Sequence, residues 1–274
     1  MPELPEVETI ARALAGVLKG RRIEGVALFR DRLRTPLDSL RDARLPGRQV
    51  LAVRRRGRYL VIELEGALAI LIHLGMTGIL KVLPKTAERS RHEHIHFDIG
   101  GGETLRFECA RRFSRVELVE LPAPGAWPRE LDDLGVEPLS DGYDAEYFRA
   151  RAKDRSVPVK VFLMDNAVAT GVGNIYATEA LFAAGISPLR RADRITRREA
   201  EKLVAEVKAV LTRSIEAGGT TFSDYRKLDG STGHYSVSLA VYGKKGAECP
   251  RCGAVLRAVT LGGRTSVYCP KCQK

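Results

Sequence analysis

Two residues with complementary chemistry stand side by side near the start of the chain. Pro2 follows Met1, and removal of Met1, common when the second residue is small, would leave a secondary amine. An α-amino group titrates near pH 8, so about a tenth is free base at neutral pH. Such an amine can attack an aldehyde-level carbon to form an imine, which on a secondary amine is a permanently cationic iminium. The adjacent carboxylate of Glu3 could move protons.

The same residues also fit an ordinary helix start. Apolar positions from Val7 to Leu18 follow at helical spacing, Pro5 suits a first turn, and Gly20 suits a stop. Carboxylates near a helix N-terminus are stabilising without any catalytic role. Taken alone, these residues favour the ordinary helix start, and the rest of the chain decides otherwise.

Charge and composition point to a polyanionic partner. The 274 residues suffice for two domains, and the net charge is +11 with a pI of about 9.6. Residues 1–149 hold 24 Lys/Arg and 23 Asp/Glu, a net of +1, whereas residues 150–274 hold 21 and 11, a net of +10. A basic excess concentrated in one half is typical of nucleic-acid binding. No apolar run is long enough for a membrane span and no secretion signal is present, so we expect a cytoplasmic protein.

Hydrophobic periodicity predicts an α+β protein of two domains. Eight short strands are expected, at 23–29, 49–53, 59–64, 67–73, 78–82, 94–99, 104–108 and 114–121. They predict a β-sandwich or β-barrel domain over 1–130. A linker over 131–145 follows the proline-rich stretch at 121–128. Helices are expected at 145–152, 159–166, 174–184 and 197–217, within a helical domain over 146–240.

Two further motifs lie in the basic half. Gly171 and Gly173 precede the helix that starts at Asn174, and such a helix start can bind a phosphate, although many glycine-rich turns are merely steric. The last segment, 241–274, carries two Cys-X-X-Cys pairs with the spacing of a four-cysteine zinc site: Cys249, Cys252, Cys269 and Cys272. Four protein ligands predict one structural zinc with no open position. Arg264 lies in the turn between the pairs, and Cys109 is expected to be free.

Taken together, four segments resemble the bacterial formamidopyrimidine-DNA glycosylase family. They are Pro-Glu-Leu-Pro-Glu-Val-Glu at the start, His73-Leu-Gly-Met76, Val172-Gly-Asn-Ile-Tyr176 and the four-cysteine finger, in the family's order and over the whole length. The resemblance implies a β-sandwich, a helix–two-turn–helix domain with a zinc finger, and duplex DNA carrying oxidised bases or abasic sites as the partner. It implies that Pro2 displaces the base of a flipped nucleotide, with Glu3 as acid/base, before elimination at both flanking phosphates.

The resemblance also assigns residues one at a time. It places Arg58 and Arg264 with the catalytic group, the latter gripping phosphate near the lesion. It makes Met76, Arg111 and Phe113 the trio that fills the void left by the flipped base. The implied DNA contacts are His92, Lys160 and Asn174, and 218–239 takes the place of the lesion-recognition loop. For Lys160 a solvated helix face is the ordinary alternative. His92, His94 and His96 alternate on one strand, but only His92 has a family role, so we do not expect a metal there.

Three departures from the family pattern matter. The family usually has Lys at the position of Arg58, Asp-Pro at the positions of Cys109-Ala110, and Gly at the position of Ser114. Arg58 keeps the charge for a phosphate but is a poor proton donor. The changes at 109, 110 and 114 leave the shape of the void-filling loop and the opposite-base preference open.

Two alternatives remain. One is an endonuclease VIII-like glycosylase for oxidised pyrimidines, although that relative usually has Gly where Leu4 stands. The other is a non-catalytic zinc-containing DNA-binding protein, which the basic half, the glycine turn and the finger would suit. Binding alone does not require Pro2-Glu3 at the start, and we expect a monomeric enzyme.

Overall fold

The computed structural model describes residues 1–220 and 239–274. They separate into two compact units. The first contains Met1–Asp132 and the described residues from Gly218 to Thr220. The second contains Asp133–Ala217 and the described residues from Leu239 to the end.

The first unit begins with helix α1, Leu4–Leu18. Pro5 lies in its first turn, where a missing N–H costs nothing. The helix buries one apolar stripe (Leu4, Val7, Ile10, Ala11, Leu14 and Leu18) in the core of the unit. Gly20 follows with φ +85°, a conformation that glycine adopts without strain. The sequence pattern therefore predicted both the helix and its end.

A five-stranded antiparallel sheet forms one layer of this unit. Its order is β1-β3-β4-β5-β9, with β1 Arg22–Ile23, β3 Arg48–Arg56, β4 Tyr59–Leu64, β5 Leu68–His73 and β9 Arg115–Glu120. Strands β4 and β5 are buried along almost their whole length, which explains why they read as continuous apolar runs. Helix α1 packs on β3.

A four-stranded antiparallel sheet forms the second layer, in the order β2-β7-β8-β6. Its strands are β2 Gly25–Leu28, β6 Gly78–Pro84, β7 Glu93–Asp98 and β8 Glu103–Cys109. One core cluster contains side chains from both sheets and from α1. The single strand expected at 23–29 is wrong, because the chain divides at Glu24 and contributes β1 to one sheet and β2 to the other.

The second unit is helical with a terminal hairpin. Its helices are α2 Ala145–Ala152, α3 Val159–Leu163, α4 Asn174–Ala184 and α5 Arg197–Glu216, with β10 Arg257–Leu261 paired to β11 Arg264–Tyr268. Helix α3 is shorter than the 159–166 expected. Short 3₁₀ turns occur at Asp38–Arg41, Arg129–Leu131 and Ala192–Arg194. Across the described ranges, none of the helices has the length and apolar character that crossing a membrane requires.

Candidate active site and nucleic-acid interface

The N-terminal end of α1 is fixed by a buried carboxylate. Glu6 Oε2 accepts the backbone N–H of Glu3 at 2.8 Å, within a capping box that involves both residues. Glu6 Oε1 accepts the N–H and the hydroxyl of Thr220 at 2.9 and 2.7 Å. Glu3 is 5% exposed, Pro2 is half-buried and Met1 is 49% exposed. The peptide that follows Pro2 is therefore held in place, while Met1 is open to removal.

Arg58 lies in the turn between β3 and β4, and a side-chain bridge connects that turn to α1. Arg55 Nε donates to Glu8 Oε2 at 2.7 Å, and Arg55 Nη1 donates to Gly57 O at 3.2 Å. Gly57 has φ +56°, as a tight strand-to-strand turn requires. The bridge fixes the position of α1, which begins directly after Pro2 and Glu3, relative to the turn that carries Arg58.

His73 is a candidate residue that the sequence prediction left out, although it opens the motif His73-Leu-Gly-Met76. It ends β5 opposite Tyr59, with ring centroids 4.9 Å apart. Burial lowers the pKa of His73 to about 4, and the charges of Arg58, Arg34 and Arg115 act in the same direction. Gly75 N–H donates to His73 Nδ1 at 3.2 Å, so the neutral ring carries its proton on Nε2. His73 is thus a neutral hydrogen-bond donor near Arg58.

The predicted void-filling trio belongs to two interlocked loops. Met76 and Phe113 are exposed by 38% and 49%, unusual for large apolar side chains, and the Arg111 guanidinium lies 5.1 Å from the Phe113 ring centre. Thr77 Oγ1 accepts the N–H of Arg111 at 3.0 Å. At Gly75, φ is +62° and an added Cβ would lie 2.6 Å from Phe113 O, so only glycine fits there. The structure brings all three residues to one place.

Two of the departures from the family pattern, Cys109 and Ser114, contact each other beneath these loops. Ser114 is fully buried, and its hydroxyl lies 2.7 Å from Leu74 O and 3.0 Å from Cys109 Sγ. Cys109 is buried and free, as predicted, with Thr77 Oγ1 at 3.6 Å. Ser114 and Cys109 thus form a small buried polar cluster that joins the two loops.

Three alternating histidines, one just before β7 and two within it, contact different partners. His92 O accepts the N–H of Cys109 at 2.9 Å, which places His92 beside the loop that carries Arg111 and Phe113. His94 Nε2 lies 3.0 Å from Cys109 O, and His96 Nε2 lies 2.9 Å from Glu93 Oε2. Among the described residues, the four cysteines of the finger are the cluster suited to a metal, and these histidines are not.

In the second unit, a buried ammonium group connects α3, α4 and the finger hairpin. Lys160 Nζ donates to Asn174 Oδ1 at 2.6 Å, to Ser266 Oγ at 2.6 Å and to Thr265 O at 3.3 Å. Lys160 is 0% exposed, so the alternative of a solvated helix face is wrong. Because an ammonium only donates, the Asn174 oxygen must face Lys160, and its NH₂ group remains a donor. Arg264 is exposed at the start of β11, after the turn at Gly262 and Gly263.

The four finger cysteines have the geometry of a zinc site. Their sulfur atoms all lie within 4.8 Å of one another, with Cys249–Cys272 at 3.9 Å and Cys252–Cys269 at 3.5 Å. Tetrahedral bonds of about 2.3 Å place sulfurs about 3.8 Å apart. Gln273 accepts the N–H of Cys269 and donates to Ile186 O, both at 2.8 Å, so the finger is joined to the helical part of the unit.

The structure describes the two ends of the predicted lesion-recognition segment. Thr220, near the start of the segment, contacts Glu6. Just after the segment, the N–H groups of Ala240, Val241 and Tyr242 donate to the buried carboxylate of Glu179 at 2.7–2.9 Å. Most of the predicted segment, 221–238, lies outside the described residues.

Comparison with known proteins identifies the family. Residues 1–116 match the formamidopyrimidine-DNA glycosylase N-terminal domain, 134–226 its H2TH domain, and 246–274 the zinc finger found in FPG and IleRS. A formamidopyrimidine-DNA glycosylase of Stenotrophomonas maltophilia is 47% identical over 274 residues, covering both chains completely. This chain belongs to the formamidopyrimidine-DNA glycosylase family. The resemblance stated from the sequence is thereby confirmed, as are the α+β fold and the structural zinc.

Solved structures of this glycosylase family superpose along the whole chain. MutM (Fpg) from Thermus thermophilus is 39% identical, with a TM-score of 0.87 over 99% of this chain and 98% of that one. MutM in complex with DNA containing carbocyclic 8-oxo-G is 30% identical, with a TM-score of 0.90 over 100% of both chains. A Lactococcus lactis FPG mutant in complex with DNA containing Fapy-dG is 28% identical, with a TM-score of 0.88 over 100% of both chains.

Proposed function

We propose that this chain is a base-excision-repair enzyme that removes oxidised purines from duplex DNA and cleaves the resulting abasic site. The observation that carries the proposal is the start of α1, where Glu6 holds the Pro2–Glu3 peptide and leaves Met1 exposed. A DNA-binding protein without catalysis has no need of this arrangement. The relatives bound to DNA with 8-oxo-G and Fapy-dG support oxidised purines as substrates.

The proposed reaction uses the amine of Pro2 after Met1 has been removed. Its lone pair forms a bond to C1′ of a nucleotide turned out of the stack, and the bond from C1′ to the base breaks. The base leaves with a proton supplied through Glu3. The attached nitrogen loses its proton, the C1′–O4′ bond breaks, and O4′ takes up a proton through Glu3, which leaves an open-chain iminium. Loss of the C2′ proton from this iminium expels the 3′ phosphate, and a second elimination expels the 5′ phosphate. Hydrolysis of the remaining adduct frees Pro2 and leaves a one-nucleotide gap.

The phosphates on either side of the nucleotide would be held by hydrogen-bond donors from both units. Arg58 offers a permanent charge, and His73 beside it offers a neutral N–H. In the second unit, Asn174 and Arg264 present an amide and a guanidinium. Lys160 would act through these two, because its ammonium donates to Asn174 and to the hairpin that carries Arg264.

The flipped base leaves a void that side chains must occupy. We assign this role to Met76, Arg111 and Phe113, which the interlocked loops hold together and exposed. Arg111 is the member able to hydrogen-bond the unpaired opposite base, and His92 would contact a neighbouring phosphate. The structural zinc orders the finger and takes no part in the chemistry.

We infer a division into a catalytic domain 1–130, a linker 131–145, a helix–two-turn–helix domain 146–240 with the lesion-recognition segment, and a zinc finger 241–274. The H2TH match, 134–226, supports the assignment of the third segment. We further propose that the enzyme acts as a monomer in the bacterial cytoplasm, bound to the nucleoid.

The test is a panel of duplexes that carry 8-oxoguanine, a formamidopyrimidine, an oxidised pyrimidine or an abasic site. Base release and strand cleavage are measured separately. We expect release of both purine lesions and cleavage at all sites from which a base has left. Preference for the oxidised pyrimidine would indicate an endonuclease VIII-like enzyme, and binding without release of any base would indicate a non-catalytic protein.

A further inference from the structure

The four-stranded sheet of the first unit has one strongly basic end. Because the sheet is antiparallel, the end of β2, the start of β7, the end of β8 and the start of β6 lie together there, as the pairs Leu28↔Ile95 and Gly78↔Cys109 show. The residues just beyond these strand ends include Arg30, Arg91, His92, Arg111 and Arg112. We call these five residues the basic rim.

Backbone hydrogen bonds fix the segments of the rim against one another. Phe29 N–H donates to His94 O at 3.0 Å, immediately before Arg30, and Cys109 N–H donates to His92 O at 2.9 Å. Burial lowers the pKa of His94, and the charges of Arg30 and Arg112 lower it further, so both guanidinium groups lie in its neighbourhood. The rim is part of the ordered sheet and its adjoining turns.

Three of the rim charges have no acidic partner in the part of the chain that the structure describes. Arg30, Arg91 and Arg112 are exposed, and within those ranges none of them forms an ion pair. The acids in the same segments are already engaged. Asp31 pairs with Arg41 at 2.7 Å, and buried Glu93 pairs with Arg106 at 3.2 Å.

The opposite end of the same sheet shows the contrast. There Lys85 pairs with Asp98 at 2.5 Å, and Arg21 pairs with Glu103 at 2.6 Å. The two ends are separated by strands of six or seven residues, about 20 Å. This exceeds the Debye length of about 8 Å at physiological ionic strength, so the acids of one end cannot neutralise the rim.

We propose that the basic rim binds the phosphate backbone of the duplex beside the opened nucleotide, with Arg30, Arg91 and Arg112 as contacts additional to His92 and Arg111. The proposal rests on the proposed function, because the void-filling residues Met76 and Phe113 adjoin the rim. A sheet four strands wide spans about 14 Å. Over that length duplex DNA carries about eight phosphates, at one charge per 1.7 Å. Guanidinium groups suit phosphate oxygens in charge and shape.

Contacts of this kind should strengthen binding without reading the lesion, because phosphates carry no base identity. Each neutralised phosphate adds about 0.9 to the slope of log K against log salt. Replacing Arg30, Arg91 and Arg112 with glutamine together should therefore reduce the steepness of that slope by about 2 to 3.

The experiment measures binding of undamaged and abasic-analogue duplexes between 50 and 200 mM salt. The triple variant Arg30→Gln/Arg91→Gln/Arg112→Gln is compared with the control Arg21→Gln/Lys85→Gln, which removes charge from the opposite end of the sheet. We expect the slope to fall in the triple variant alone and by the same amount on both duplexes. Thermal unfolding checks that the variants are folded, and Arg91→Gln alone should give about a third of the change.

Equal slopes in the triple variant and the wild type would overturn the proposal, as would an equal fall per charge in the control. A loss confined to the abasic duplex would also overturn it, since the rim would then respond to the lesion. The binding assay requires no catalysis. A protein that binds through the rim and releases no base would refute the proposed function and leave the rim supported.

Discussion

Glu6 offers the sharpest test of how the fold positions Pro2 and Glu3. Its carboxylate is 2% exposed and accepts two backbone N–H groups, those of Glu3 and Thr220, through different oxygens. In Glu6→Gln, one of these oxygens becomes an NH₂ group, which cannot accept. Whichever way the amide turns, one buried backbone donor loses its acceptor and faces another donor.

The magnitude follows from these contacts. A buried donor without an acceptor costs about 1–3 kcal/mol, and hydrogen bonds to a neutral oxygen are about 1 kcal/mol weaker than those to a charged one. We therefore expect Glu6→Gln to lower the free energy of unfolding by about 2–5 kcal/mol. The rate of base release should also fall, because the Glu3 N–H belongs to the peptide bond that follows Pro2.

Urea unfolding and single-turnover base release would measure both effects. Glu201→Gln is the matched control, since Glu201 is exposed on α5 and, among the described residues, forms an ion pair with Arg197 one turn away, an interaction worth about 0.3–0.5 kcal/mol. If Glu6→Gln were as stable and as active as this control, Glu6 would not be what holds the start of α1.

Three further predictions address single parts of the site. If only the charge of Arg58 matters, Arg58→Lys should leave strand cleavage unchanged. Arg58→Ala should then weaken DNA binding and base release together. Faster strand cleavage by Arg58→Lys without faster base release would contradict this. Cys269→Ser with Cys272→Ser should reduce bound zinc from one per chain to none, as metal analysis would show. His73 binds its proton less readily when folded, with a pKa of about 4 against 6.5, so its protonation favours unfolding. The wild type should therefore lose about 3 kcal/mol relative to His73→Gln as the pH falls from 6.5 to 4, and parallel stability curves would contradict the assigned burial.

Elements with a strong local pattern could be predicted from the sequence. The apolar stripe of α1, the buried runs of β4 and β5 and the Cys-X-X-Cys spacing each depend on neighbouring residues, and each is found as expected. The division at Glu24 could not be predicted, because the alternation of 23–29 does not show that its two halves pair with different sheets.

Contacts between residues distant in the chain could not be predicted from the sequence. Lys160 looks like a surface lysine on a short helix, and only the hairpin more than a hundred residues later explains its burial. The departures at Cys109 and Ser114 looked independent, yet their side chains are in contact. His73 lay within a recognised motif, but its neutral state follows from burial and from the arginines around it.

The central claim is that the amine of Pro2 forms the covalent bond to DNA. Borohydride reduction of the protein with a duplex containing an abasic site traps such an adduct, and mass spectrometry of the digested adduct identifies the attached residue. We predict attachment at Pro2 in chains that lack Met1, and loss of most of the adduct in Pro2→Gly and in chains that retain Met1. Undiminished trapping in both, with the adduct on a lysine, would contradict the account.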